Sequence, residues 1–137
     1  MAKFYRPLYE VVNDHVAWAQ SDNPRVRLGF PVFDSRTGGV ALGEMMMFLA
    51  RSGTGKTAWA CNVAVNNRHT PQLFVSLEMD AGKVAQRMAA IYTNTPTAAI
   101  ESDIINYGDS GALEAFTRDF QRLAIIDKPG QIGRAHV

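Results

Sequence analysis

The residues best suited to chemistry lie between Met45 and Val65, in the run MMMFLARSGTGKTAWACNVAV. Its centre is Ala50-Arg51-Ser52-Gly53-Thr54-Gly55-Lys56-Thr57, and the chemistry it suits is the binding of phosphate. Gly53 and Gly55 permit backbone angles that other residues resist, so the N–H groups of residues 52–57 can turn inward on a polyphosphate. A helix with Lys56 and Thr57 in its first turn would add its unpaired N–H groups and positive dipole end. Lys56 would reach the terminal phosphates as a point charge, and Thr57 would offer its hydroxyl to magnesium. Ala50 stands where such loops usually begin with glycine. The plainer alternative is a Gly-rich turn with a chance Lys-Thr. What argues against it is the pattern on either side.

That pattern supplies the elements that must hold the loop. Met45 to Ala50 is a short apolar run bounded by Gly43-Glu44 and is expected to be a buried strand. Ala58, Ala60, Cys61, Val63 and Ala64 follow the loop with no Gly or Pro among them, as a helix requires. Asn66 to Pro71 closes it, and Gln72 to Met79 is expected to be a second buried strand with Glu78 near its end. Asp80 is a candidate N-cap for a helix carrying Val84, Met88, Ile91 and Tyr92 on one face. Strand, helix, strand, helix is the order of an α/β protein with a parallel sheet. Ligands in such sheets sit at the C-terminal strand edge, where the loop and Glu78 both fall. A carboxylate there could orient or deprotonate a water attacking a terminal phosphate. From spacing alone Glu78 is equally a surface or helix-capping carboxylate.

Before the loop, Leu8, Val11, Val12, Val16 and Ala19 recur at helical spacing, giving an amphipathic helix over Pro7 to Gln20. Ser21-Asp22-Asn23-Pro24 reads as a linker, and Leu28 to Glu44 as an irregular, Gly-rich segment. His15 has no second ligand at metal-binding spacing and reads as a surface residue. After Pro96 a helix is expected to Tyr107, then Gly108-Asp109-Ser110-Gly111, then a helix with Leu113, Phe116, Phe120 and Leu123 on one face. Gly-Asp-Ser-Gly also occurs around the nucleophile of trypsin-like proteases. A parallel-sheet chain of this length cannot build their double barrel, so the tetrapeptide is expected to be a turn with a helix cap. Leu123 to Asp127 is a third strand candidate, and Lys128-Pro129-Gly130 a turn.

Composition bounds the rest. The chain has 137 residues, 47% hydrophobic and 20% charged, which describes at most one globular domain. Fourteen basic and thirteen acidic residues leave a net charge of +1, which argues weakly against a dedicated DNA-binding module but not against a machine that grips DNA through a few loops. One cysteine, Cys61, excludes internal disulfides and cysteine-based zinc clusters. The absence of a signal-peptide run or a membrane-length apolar segment leads to the expectation of a cytoplasmic protein without membrane attachment.

Several stretches occur together in one order. They are Phe33-Asp34, Thr37-Gly38-Gly39-Val40, Leu42-Gly43-Glu44, ARSGTGKT, and Phe74-Val75-Ser76-Leu77-Glu78-Met79 with Arg87 beyond. Over roughly residues 27–130 the chain resembles the RecA-like ATPase domain of DnaB-type replicative DNA helicases. That family accepts Ala at the first loop position but usually has Pro where this chain has Ser52. The resemblance implies a RecA-like, three-layer phosphate-loop fold with a mostly parallel sheet, represented here by its N-terminal part. It implies ATP and Mg²⁺ as ligands, single-stranded DNA as partner, and a homohexameric ring that couples hydrolysis to translocation. It assigns nucleotide binding to Ser52, Gly53, Thr54, Gly55, Lys56 and Thr57, metal binding to Thr57, and catalysis to Glu78 and Lys56. Four apolar residues ending in Asp127 look like a magnesium-binding acidic strand, but in the resembled family an Asp before a Pro-Gly turn precedes that strand.

The same resemblance divides the chain into a linker helix and linker over 1–24, an ATPase part over 25–131, and a tail over 132–137. The tail, Ile-Gly-Arg-Ala-His-Val, is what a common sequencing adapter encodes when read in frame, so it is expected to be non-native and His136 to carry no function. The chain is expected to stop about halfway through its domain, with DNA loops, acidic metal strand and arginine finger beyond Val137. Met1 leaves no room for the family's helical N-terminal domain, which suits either a short phage- or plasmid-type relative or an internal start. Two rivals share the loop: a RecA/RadA-type recombinase, and a nucleotide-binding loader or regulator without helicase action.

Overall fold

Pro7, with φ −57° and ψ 144°, sets the start of the first helix, α1, over Leu8–Gln20. This is a computed structural model of the chain, and it describes residues 5–22 and 24–127. Those residues form two compact units that divide between Met46 and Met47. Glu10 in the first turn of α1 complements the helix dipole. An ion pair from Arg6 to Asp14 ties the approach to the helix body. The helix ends at Ser21, whose N–H donates to the Ala17 and Trp18 carbonyls. The expected amphipathic helix is present, but none of its residues is buried. Leu8, Val12 and Val16 all remain exposed.

The remainder of the first unit departs from the irregular segment expected over Leu28 to Glu44. Two-residue strands β1 (Arg25–Val26) and β2 (Val40–Ala41) pair antiparallel, and helix α2 (Pro31–Thr37) lies between them in sequence. Buried Asp34 organises this turn. Its two carboxylate oxygens accept from the Leu28 N–H at 2.9 Å and the Gly29 N–H at 2.8 Å. Gly38 ends α2 in the left-handed region at φ 71°. At Gly39 (φ 86°) an added Cβ would lie 2.5 Å from the Val26 carbonyl oxygen, so only glycine lets the β1–β2 pair close.

In the second unit a helix-rich core packs beside one parallel strand pair. Helix α3 (Lys56–Asn66) is followed by strand β3 (Gln72–Val75), then helices α4 (Ala81–Thr93), α5 (Thr97–Tyr107) and α6 (Gly111–Asp119), then strand β4 (Leu123–Ile126). Strands β3 and β4 run parallel in the register Gln72↔Leu123 to Val75↔Ile126. Helix α4 is central. Its Val84, Met88 and Ala89 are fully buried against Cys61 and Ala64 of α3, Ile100 of α5, and Phe116 of α6 with Phe120 beyond it. Each such large side chain contributes about 1.5–3 kcal/mol by leaving water. Phe120 stacks at a tilt on Phe116 at 4.6 Å and edge-on to Tyr92 at 5.0 Å. The turn expected at Gly108 to Gly111 is there: Gly108 closes α5 at φ 81°, and the Ser110 hydroxyl caps α6 by accepting from the Ala112 N–H at 3.3 Å.

Two strand expectations need correction. Met45 to Ala50 is neither a strand nor buried: Met47 is 72% and Leu49 81% exposed. A strand exists only through its ladder, and among the described residues β3 pairs with β4 alone. What Phe48 has instead is a parallel stack on the Trp59 ring at 4.4 Å. The second strand stops at Val75 rather than Met79. Its side chains alternate, with Leu73 and Val75 exposed, the signature of a sheet covered on one face rather than two. No helix among the described residues is long and apolar enough to cross a membrane. The Lys128-Pro129-Gly130 turn and residues 132–137 lie outside the described residues.

Candidate functional site

The glycine-rich loop opens helix α3 as the motif's spacing requires. Gly55 is the N-cap residue at φ 94°, and Gly53 precedes it at φ 77°. An added Cβ would meet nothing within 4 Å at either position. These glycines therefore serve the backbone turn itself. The Thr54 hydroxyl donates to the Arg51 carbonyl at 2.6 Å, tightening the loop from inside. The Lys56 ammonium folds back and donates to the Ala50 and Arg51 carbonyls, each at 3.0 Å. Residues 51–56 are exposed and Thr57 is half-buried. The loop presents its backbone and two cations, Arg51 and Lys56, to solvent.

Glu78 reaches this loop through a turn built by Ser76. The Ser76 N–H still donates to the Ile126 carbonyl at 2.7 Å, extending the β3–β4 ladder by one bond. Its buried hydroxyl then donates to the Met79 carbonyl at 2.7 Å and accepts from the Met79 N–H at 3.1 Å. That closed turn ends the strand early and leaves Glu78 exposed. Glu78 lines one cleft with Ser52, Gly53, Lys56 and Thr57, and a second depression with Lys56, Thr57 and the end of β3. So Lys56, Thr57 and Glu78, far apart in sequence, share one open site at the C-terminal edge of the parallel pair.

Arg87 of α4 lines the same cleft, and residue-by-residue reading gave it no role. The signal was present in its spacing: Val84, Arg87, Met88 and Ile91 form one helical stripe, so Arg87 is a charge on an otherwise apolar face. Its positive charge also acts on Cys61. Burial pushes the Cys61 thiol up and Arg87 partly opposes that, leaving a protonated core thiol.

Helix α4 is capped, but not by the expected side chain. Asp80 holds the N-cap position with φ −60° and ψ 144° and makes no side-chain cap bond. The Asp127 carboxylate, just beyond β4, accepts from the Ala81 N–H at 3.0 Å instead. Asp127 is thus occupied in ending the helix ladder. Asp127→Ala is expected to cost about 1 kcal/mol of stability, read as a lowered urea midpoint. The magnesium dependence of nucleotide binding should not move; a weakened dependence would make Asp127 a metal ligand. Among the described residues no group of three or more His, Cys, Asp or Glu could hold a metal ion.

A glycine-rich loop opens a helix beside a carboxylate at the C-terminal edge of parallel strands, in a chain of the α/β class. The chain belongs to the family of DnaB-like helicase C-terminal domains, which residues 26–133 match. It is 30% identical over 115 residues to the replicative DNA helicase DnaB of Treponema pallidum (strain Nichols), covering 80% of this chain and 26% of that protein. It is 33% identical over 91 residues to a probable plasmid replicative DNA helicase of Chlamydia trachomatis serovar L2, covering 64% of this chain and 19% of that protein. The chain therefore spans about a quarter or less of the relatives it matches.

Proposed function

We propose that this chain is part of the motor of a replicative DNA helicase, which binds and hydrolyses ATP and moves along single-stranded DNA. The observation that carries this reading is the meeting of Lys56, Thr57 and Glu78 at one loop in a member of the DnaB-like family. In this reading residues 25–131 belong to a RecA-like domain with a three-layer, mostly parallel sheet. Residues 1–24 are a linker whose exposed helix packs on a neighbouring subunit of a hexameric ring. The protein works in the cytoplasm, and residues 132–137 take no part.

The donors present suit the nucleotide. Ser52, Gly53, Gly55, Lys56 and Thr57 line an open cleft, and the Lys56 ammonium needs only to exchange two loop carbonyls for phosphate oxygens. The Thr57 hydroxyl has no hydrogen-bond partner among the described residues, so it is available to a hard cation. Magnesium, when bound, neutralises the charge of the terminal phosphates. Lys56 holds the transferring phosphoryl group in place, and Glu78 orients a water and accepts its proton. Arg87 offers a second cation to the same cleft.

The test is the complete protein, assayed for ATP hydrolysis with and without single-stranded DNA, and for unwinding of a forked duplex. Stimulated hydrolysis with unwinding is expected. Hydrolysis without unwinding would instead identify a loader or regulator. Residues 1–137 expressed alone are expected to show no DNA-stimulated hydrolysis and a tendency to aggregate. The reason is apolar surface left open at Met47, Leu49, Leu73 and Val75. Light scattering and an ATPase assay check this; a soluble fragment with DNA-stimulated turnover would refute it.

A further inference from the structure

The opposite edge of the β3–β4 pair carries a second cluster. Strands of this length put it about 10–13 Å from the edge that bears Glu78. The loop entering β3 brings Arg68 and His69, and the end of α6 with the turn into β4 brings Arg118, Asp119 and Arg122, around one open cleft lined by charged and polar residues. Both loops are fixed. The Gln72 side chain donates to the Ala64 carbonyl at 2.9 Å and the Asn67 carbonyl at 2.7 Å, and the Gln72 N–H donates to the Arg122 carbonyl at 2.9 Å. Arg122 Nη1 donates across to the His69 carbonyl at 3.2 Å.

The guanidinium groups are held as well. Tyr92 Oη donates to Asp119 at 2.6 Å and accepts from Arg68 Nη1 at 3.1 Å. Arg68 Nε donates to His69 Nε2 at 2.9 Å. Arg118 grips Asp119 through Nε and Nη2 at 2.9 and 3.2 Å. The hydrogen bonds from Arg118 and then Tyr92 hold the Asp119 carboxyl down at about 2, so it stays ionised. Three arginines against this one carboxylate leave two positive charges in excess. Arg68 and Arg122 each keep N–H groups that have no partner among the described residues. Such oriented forks, with donors to spare, are what bidentate recognition of an oxyanion uses.

Asp119 narrows the choice of anion. A single carboxylate would meet its repulsion and leave charge unbalanced, whereas phosphate carries more charge and more acceptor oxygens. The Tyr92 ring is set edge-on to Phe120 with its hydroxyl engaged, and the His69 imidazole is tied to Arg68 through Nε2. We propose that this arginine cluster is a second phosphate-binding site, separate from the glycine-rich loop, recognising the phosphate group through charge and hydrogen bonds. Its source is free phosphate or the backbone of single-stranded nucleic acid.

Arginine modification by phenylglyoxal, mapped by mass spectrometry on the complete protein, tests this residue by residue, so phosphate bound at the glycine-rich loop does not confuse it. Inorganic phosphate or an oligothymidylate is expected to slow modification of Arg68, Arg118 and Arg122 by roughly threefold or more, leaving exposed Arg36 unchanged. Protection by the oligonucleotide that fades with added salt assigns the nucleic-acid backbone. Protection by phosphate alone assigns the free anion. In Arg68→Gln/Arg122→Gln, protection of Arg118 should disappear while ATP hydrolysis without DNA is unchanged. Arg68→Lys/Arg122→Lys should restore part of it. The proposal is overturned by no protection in the parent, by unaltered Arg118 protection in the glutamine variant, or by polyglutamate protecting at lower concentration than either phosphate source.

Discussion

Replacing Glu78 with glutamine is expected to leave ATP binding in place and lower its hydrolysis by about 10²–10⁴-fold. Glutamine keeps the size of the side chain and can still hydrogen-bond a water, but it cannot take the proton. The turn that carries residue 78 is closed by the Ser76 hydroxyl and Met79 backbone, not by the Glu78 side chain. The substitution should therefore leave the fold alone. Glu78 is exposed and lines the cleft beside Lys56 and Thr57, so no buried partner is orphaned when its charge is lost. Equilibrium binding of a fluorescent ATP analogue and steady-state phosphate release together separate the two effects. Unchanged phosphate release would move the base elsewhere; loss of binding would make Glu78 part of the nucleotide cradle.

Lys56→Ala should act on the other side of the same cleft and weaken binding itself. A charge-assisted hydrogen bond to phosphate is worth roughly 1.5–3 kcal/mol, which lowers affinity by about one to two orders of magnitude, with hydrolysis no longer useful. The loop is affected as well, because the Lys56 ammonium bridges the Ala50 and Arg51 carbonyls at 3.0 Å. Thr54 still holds Arg51 by its 2.6 Å hydroxyl bond, so the turn should survive. Titration of the complete protein with a fluorescent ATP analogue is the measurement. Equal affinity and turnover in variant and parent would remove the phosphate-loop assignment.

How much was legible in the sequence depended on whether the signal was local. Helix α3, helix α4 and the Ser110 cap follow from residues within a turn of each other, and the structure has all three. Helix α2 was missed although its punctuation was available, with Pro31 at the first helical position and Gly38 just past the end. The Met45 to Ala50 strand failed for the opposite reason. An apolar run states a preference for burial, and pairing depends on neighbours that the run does not encode. The meeting of Lys56, Thr57 and Glu78 could be argued from the parallel-sheet rule. Arg87 was legible only as a charge on an apolar stripe, because its place in the cleft depends on how α4 lies against α3. Asp127 shows the same limit, since nothing near it in sequence says that it will cap a helix 46 positions earlier.

That last bond has a consequence for the order in which the chain acquires structure. The first turn of α4 receives its acceptor only after β4 has aligned with β3, since Asp127 directly follows β4. During synthesis, Ala81 leaves the ribosome well before Asp127 does. Until then the Ala81 N–H lacks the Asp127 acceptor and the helix start frays, while its middle is free to collapse onto α3 through Val84 and Met88. Long-range closure of this kind slows folding, because loop entropy is spent before the contact rewards it. The Ala81 amide is therefore a clock for sheet assembly. In pulsed hydrogen exchange it should become protected together with β4, and later than the amides in the middle of its own helix.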